Sequence, residues 1–117
     1  MFDDRRIQAQ LLKGTLPLLV LSTLRGGELH GYEIARQIRE RSGGAFSLSE
    51  GSLYPALHRL ETDGALEATW RAGESGPRRR YYQLTKAGHA ALERAERDWA
   101  AFSGGVAQVA LRGSIDG

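Results

Sequence analysis

From Ala65 onward the apolar residues change period, and that change dictates the order of elements the chain can adopt. Up to residue 64 they recur at the spacing of helical faces. In "LEATWRA" (66–72), Leu66, Ala68 and Trp70 alternate with Glu67, Thr69 and Arg71; in "RRRYYQL" (78–84), Arg80, Tyr82 and Leu84 alternate with Arg79, Tyr81 and Gln83. A period of two belongs to a strand, and it puts the neighbours Tyr81 and Tyr82 on opposite faces. The intervening "GESGP" consists of turn formers and one acid, so the two strands make a hairpin with a long, flexible tip. After Leu84 the helical period returns. Thr85 caps a last helix running to about Ala110, in which Leu92, Ala95, Trp99, Phe102, Val106 and Val109 are separated by 3, 4, 3, 4 and 3 residues, the spacing of a heptad seam.

Three helical segments come before the hairpin. The first runs from about Arg5 to Leu24, with Ile7, Leu11, Leu12, Leu16, Leu19 and Leu24 as its apolar positions. Pro17 lies inside it, so either the helix kinks there or a second segment starts with Thr15 or Leu16 as its cap. Gly26 and Gly27 end it. A second helix, about Gly31 to Arg41 with His30 at its start, presents Tyr32, Ile34, Ala35 and Ile38 to the core and closes at Gly43 and Gly44. A third begins at Ser47, which with Glu50 makes a capping box, or at Ser49, a simple cap, and ends at Asp63 and Gly64. Leu53, Ala56, Leu57 and Leu60 share one of its faces, while Ser49, Ser52, Tyr54, His58 and Arg59 fall elsewhere. Pro55 presses its ring toward the carbonyl of Gly51, where the absence of a side chain gives the backbone room for a bent start that turns Ser49 to Tyr54 outward.

With 117 residues and 41% hydrophobic side chains, the chain is long enough for one compact domain with an extra element. No apolar run approaches the ~18 residues of a membrane helix. The start "MFDDRRIQAQ" carries acidic residues and no apolar signal-peptide core, which points to a cytoplasmic protein. The absence of cysteine removes disulfides, thiolate metal sites and cysteine nucleophiles. His30, His58 and His89 have no metal-ligand spacing, so neither metal nor cofactor is expected. No nucleophile elbow or phosphate loop is present, and an enzyme is not expected. The formal net charge of +2 says little, but its distribution is uneven: between residues 68 and 90, Arg71, Arg78, Arg79, Arg80 and Lys86 face Glu74 alone.

These elements describe a mainly α chain with a small β-hairpin: a winged helix-turn-helix domain (1–84), a C-terminal dimerisation helix (85–112) and a tail (113–117). The short connection from about Gly43 to Ser47 suits an angled helix pair whose later member lies in the major groove of double-stranded DNA. On that helix Ser49 and Ser52 can donate to phosphates or bases, and Tyr54, His58 and Arg59 can follow the groove. Arg78, Arg79 and Arg80, directly after the hairpin tip, are placed to reach phosphates or the neighbouring minor groove. Leu92, Ala95, Trp99, Phe102 and Val106 are the candidate dimer interface. A homodimer of this kind would meet a pseudo-palindromic site with half-sites about 34 Å apart. The rival reading is a winged helix that offers the same surface to another protein, without specific DNA binding.

The segments "LLKGTLPLLVLSTL" (11–24), "LHGYEIARQI" (29–38), "LSEGSLYPALHRLETDGAL" (48–66) and "GPRRRYYQLTKAGHAAL" (76–92), with the helix that follows, cover nearly the whole chain. Together they resemble the PadR family of transcriptional regulators, in its compact branch with a single C-terminal helix. The resemblance implies a homodimeric winged-helix repressor, paired through its last helix and released from its operator by a small molecule or a cellular stress signal. It carries over Ser49, Ser52 and Tyr54 as recognition-helix contacts and residues 78–80 as wing contacts, with Arg5, Arg6 and Lys13 as backbone-contact candidates. Trp99 matches a tryptophan that in some relatives stacks on flat aromatic ligands at the dimer centre; its other reading is an interface side chain contributing apolar area. Two departures stand out. Pro17 falls where relatives have an unbroken first helix, and Gly104 and Gly105, each costing about 1 kcal/mol in a helix interior, invite a break in the last.

Overall fold

The computed structural model describes the backbone of residues 4–72 and 76–112 and the side chains within 11–72 and 76–111. Arg5, Arg6, Ile7, most of the hairpin tip and the tail after 112 therefore lie outside the described side chains. The first helix, α1, spans Asp4–Thr23 with Pro17 inside it, so no second segment starts at the proline. Residues 16 to 21 contain no polar side chain, and the phase of α1 is set by what it packs against. Leu16, Val20 and Leu21 are buried, Leu19 only partly so, and Leu11 is 71% exposed. The helix tightens into a 3-10 turn (Leu24–Gly26) that buries Leu24, and Gly27 at φ 138° turns the chain away.

Two residues, Leu29–His30, then form an unexpected short strand, β1. The helix that follows, α2 (Gly31–Arg41), starts on His30, whose Nδ1 accepts the Glu33 backbone N–H at 3.3 Å. It ends as its glycines suggest: Gly44, at φ 87°, donates its N–H to the Arg39 carbonyl at 2.8 Å. Ile34 and Ile38 are buried and Ala35 packs beside them. Tyr32, assigned to the core from sequence, is instead 65% exposed. Two residues at 100° per residue place it about 200° from Ile34, on the opposite side of α2.

The choice between Ser47 and Ser49 is resolved in favour of Ser49. Its Oγ accepts the Ser52 N–H at 3.2 Å and opens α3 (Glu50–Thr62), which continues through Pro55. Leu53, Leu57 and Leu60 are buried with Ala56 partly so, while Ser49, Ser52, Tyr54, His58 and Arg59 are exposed. Gly64 at φ 83° ends the helix, and the chain enters the hairpin of β2 (Leu66–Ala72) and β3 (Arg78–Leu84). Their antiparallel register runs from Leu66 opposite Leu84 to Ala72 opposite Arg78. β1 adds to the other edge of β3, with Leu29 opposite Tyr82 and His30 opposite Tyr81, giving the order β1-β3-β2. The base of the hairpin is core, with Leu66 and Tyr82 buried; toward its tip Trp70 is already 57% exposed.

The last helix, α4 (Lys86–Arg112), is unbroken at Gly104 and Gly105, contrary to the expected interruption. Twenty-five other helical residues carry the ladder past them, so a local propensity penalty does not end it. Leu92 is 3% exposed and sits in the core of its own chain; this corrects its assignment to the pairing seam, because no partner can reach it. The start of α4 is fixed by one junction. The Thr85 N–H donates to the Ala65 carbonyl at 3.1 Å, its Oγ1 donates to the Gly64 carbonyl at 2.6 Å, and the same Oγ1 accepts the Gly88 N–H at 3.0 Å. A Cβ on Gly88 would stand 2.0 Å from the Ala65 carbonyl oxygen, whereas one on Gly104 would meet nothing within 4 Å.

Helix propensity favours alanine over glycine by about 1 kcal/mol at either position. The backbone clash reverses that sign at one of them. Gly88→Ala is expected to destabilise by at least ~2 kcal/mol and Gly104→Ala to stabilise by up to ~1 kcal/mol in urea denaturation. Equal effects of the two substitutions would contradict this account of the junction.

Candidate nucleic-acid interface

The buried face of α3 fixes its polar face outward. Ser49 and Ser52 share a hydrogen bond between their Oγ atoms at 3.1 Å at the exposed start of the helix. Tyr54 leans back across the start of α2. A Cβ on Gly31 would fall 2.8 Å from its hydroxyl and 3.1 Å from its Cζ, so the ring rests where only glycine leaves room. Tyr54 also joins two hollows: one of about 240 Å³ that extends to Ser49, Glu50 and Tyr32, and one of about 430 Å³ that extends to His30, Trp70 and the arginines at 78–80. The two hollows share Gly31, Tyr32 and Tyr54, so the beginning of α3 and the wing border an adjoining concave surface. Tyr32 belongs to it. The 2.0-versus-3.6 periodicity could not reveal this, but its position opposite Ile34 on a helical wheel could have.

His58 and Arg59 are exposed on α3. Arg59 and Lys13 line a third hollow of about 970 Å³ between α1 and α3, bordered also by Ser49 and Ser52. The side chains of Arg5 and Arg6 are outside the described residues. The three wing arginines are not equivalent. Arg78 is exposed, and Arg79 is exposed with Nη1 3.1 Å from His30 Nε2. Arg80 borders the same hollow but donates from Nη2 to Glu61 Oε2 at 2.5 Å. Arg71, on β2, pairs with Glu28 and lies 5.6 Å from the Tyr81 ring centroid. Ala95 is partly buried on α4, whereas Trp99, Phe102, Val106 and Val109 project into solvent at 45%, 66%, 50% and 82% exposure. The Trp99 and Phe102 rings lie 6.2 Å apart. Among the described residues, no group of three His, Asp or Glu side chains is placed to hold a metal ion, and no helix is long and apolar enough to cross a membrane.

His30 is the most constrained polar group here. Its Nδ1 faces the Glu33 N–H and its Nε2 faces Arg79, two donors around a ring that offers one accepting nitrogen when neutral and none when protonated. Burial holds its pKa below the ordinary imidazole value, and the Arg79 charge lowers it further; Arg36 acts in the same sense, and Glu33 opposes them. The Arg36 hydrogen bond in turn holds the Glu33 carboxyl below its usual range.

The profile of the transcriptional regulator PadR-like family matches residues 20–94. The chain is 39% identical over 80 residues to the transcriptional regulator Rv3488 of Mycobacterium tuberculosis, covering 68% of this chain and 71% of that one. It is 33% identical over 86 residues to the negative transcriptional regulator PadR of Bacillus subtilis, covering 72% of this chain and 44% of that one. The crystal structure of a PadR family transcriptional regulator from Eggerthella lenta superimposes with a TM-score of 0.77 at 31% identity, covering 90% of this chain and 89% of that one.

The lowered pKa of His30 has a definite consequence for stability. Because the folded chain resists the second proton, unfolding takes up a proton once pH falls into the ordinary imidazole range. Stability is complete above that range and declines as pH drops through it. Urea midpoints measured between about pH 7.5 and 5.5 should fall with pH, and His30→Asn, which keeps a cap acceptor, should flatten the decline. An unchanged slope in the variant would contradict this role for the imidazole.

Proposed function

The chain belongs to the PadR-like family of transcriptional regulators, and we propose that it is a homodimeric repressor that binds a pseudo-palindromic operator through the start of α3 and the wing. The observation that carries this reading is the pair of adjoining hollows: Tyr54 borders both the one leading to Ser49 and the one leading to Arg78 and Arg79. Their polar, aromatic and cationic side chains suit the edge of a major groove and the phosphates flanking it. Ser49, Ser52, Tyr54, His58 and Arg59 address the groove. Arg78 and Arg79 hold the backbone and fix register. Arg80, assigned with them from sequence, is engaged within the chain. Tyr32, beside Tyr54, is a further member of the surface.

Pairing is supported by α4. At 1.5 Å per residue it is about 40 Å long, and beyond Leu92 it exposes Trp99, Phe102, Val106 and Val109 along one side. A second copy offering the same stripe would cover it and set two recognition helices on one duplex. The name of the Bacillus subtilis relative, a negative regulator, supports repression. Trp99 and Phe102, half-open and adjacent, support release by a small flat aromatic effector in the cytoplasm.

Duplex affinity titrated against salt separates this reading from a protein-binding winged helix. The apparent constant should fall steeply on a log–log plot, and replacing Arg78 and Arg79 with alanine should make the slope shallower by about 0.9 for each phosphate that is no longer neutralised. A chain that ignores duplex DNA at low salt, or a slope indifferent to both arginines, would favour the protein-partner reading.

A further inference from the structure

One of three consecutive arginines is engaged by its own chain. Successive strand residues point to opposite faces, and on β3 this sends Arg79 toward His30 and Arg80 toward Trp70, its register partner on β2. The Arg80 guanidinium lies 5.9 Å from the ring centroids of both Trp70 and Tyr82. It also donates from Nη2 to Glu61 Oε2 at 2.5 Å. Glu61 stands in the last turn of α3, the helix whose first turn carries Ser49 and Ser52. One guanidinium thus touches the recognition helix and both strands of the wing.

We propose that Arg80 is a positioning residue: paired with Glu61 and lying over the rings of Trp70 and Tyr82, it fixes the wing relative to α3 and so sets the separation of the two elements that grip DNA. The proposal rests on the DNA-binding reading above. To meet a phosphate, Arg80 would have to leave a carboxylate and two rings at once. Arg79 would leave only one ring nitrogen of His30. Within the pair, Glu61 Oε1 and Arg80 Nε are buried and have no hydrogen-bond partner among the described residues, so a single short contact orients both groups. Lysine at this position would keep the charge and lose the planar fork and the stacking.

Glu61→Gln gives the test its sign. Removing a carboxylate from a DNA-binding chain strengthens its general attraction to phosphate, so if Glu61 only contributed charge the variant would bind more tightly. A positioning role requires the reverse: Glu61→Gln and Arg80→Lys should each weaken operator binding about tenfold at every salt concentration and leave the log–log salt slope of the parent unchanged. The double variant should bind little more weakly than either single one, because both substitutions break the same pair. Arg79→Ala should instead make the slope shallower. Hydrogen exchange on the protein without DNA provides the second readout. Amides of β2 and β3 should exchange several-fold faster in Glu61→Gln while those of α2 keep their parent rates. Parent-like binding by Arg80→Lys, tighter binding by Glu61→Gln, or an Arg80→Ala slope as shallow as that of Arg79→Ala would overturn the proposal. If the parent binds no duplex, the DNA reading fails by itself, and the exchange experiment still decides whether the pair holds the wing; unchanged wing exchange would overturn that too.

Discussion

The carbonyl of Ala65 is the point on which the rest of the structure turns. The Ala65 N–H closes α3 on Leu60 at 2.9 Å, its carbonyl accepts the Thr85 N–H at 3.1 Å, and Gly88 packs against the same oxygen. The end of α3, the base of the β2–β3 hairpin and the beginning of α4 are thereby held within a few ångströms. α4 is connected to the proposed DNA face through this junction and also through its packing on α1.

Charge on that face is divided by strand geometry. Alternation on β3 places Arg79 beside a histidine and Arg80 beside a glutamate, so adjacent arginines of equal formal charge acquire different surroundings. An exposed guanidinium retains its hydration until a phosphate displaces it; one held by a carboxylate and two rings has already been committed. Composition alone therefore overstates the cationic surface available to DNA.

Much of this was legible in the sequence. The switch of period at residue 65 located the wing, the glycines at 43, 44 and 64 located the ends of helices, and the face of Leu53, Leu57 and Leu60 separated the buried side of α3 from its exposed side. What escaped has physical reasons. A two-residue strand such as β1 is too short to show alternation. In the uniformly apolar run from 16 to 21, Val20 and Leu21 cannot be told from Leu18 and Leu19 until a partner surface picks the phase. Leu92 fits a heptad as well as a core because both demand the same side chain. Glu61 and Arg80 are 19 residues apart on elements of different type, and no local pattern announces that they meet. The choice of Ser49 over Ser47 was open from sequence because both are capping residues; where the helix begins to pack decides between them.

Doubling is the central claim of the proposed function, because one such surface is small and two on a rigid frame are selective. Selection of duplexes from a random pool by the purified full chain, followed by sequencing, tests it directly. The account predicts enrichment of inverted half-sites whose centres lie about one helical turn, near 34 Å, apart. Recovery of solitary half-sites without a fixed spacing, or of no enriched sequence at all, would contradict it.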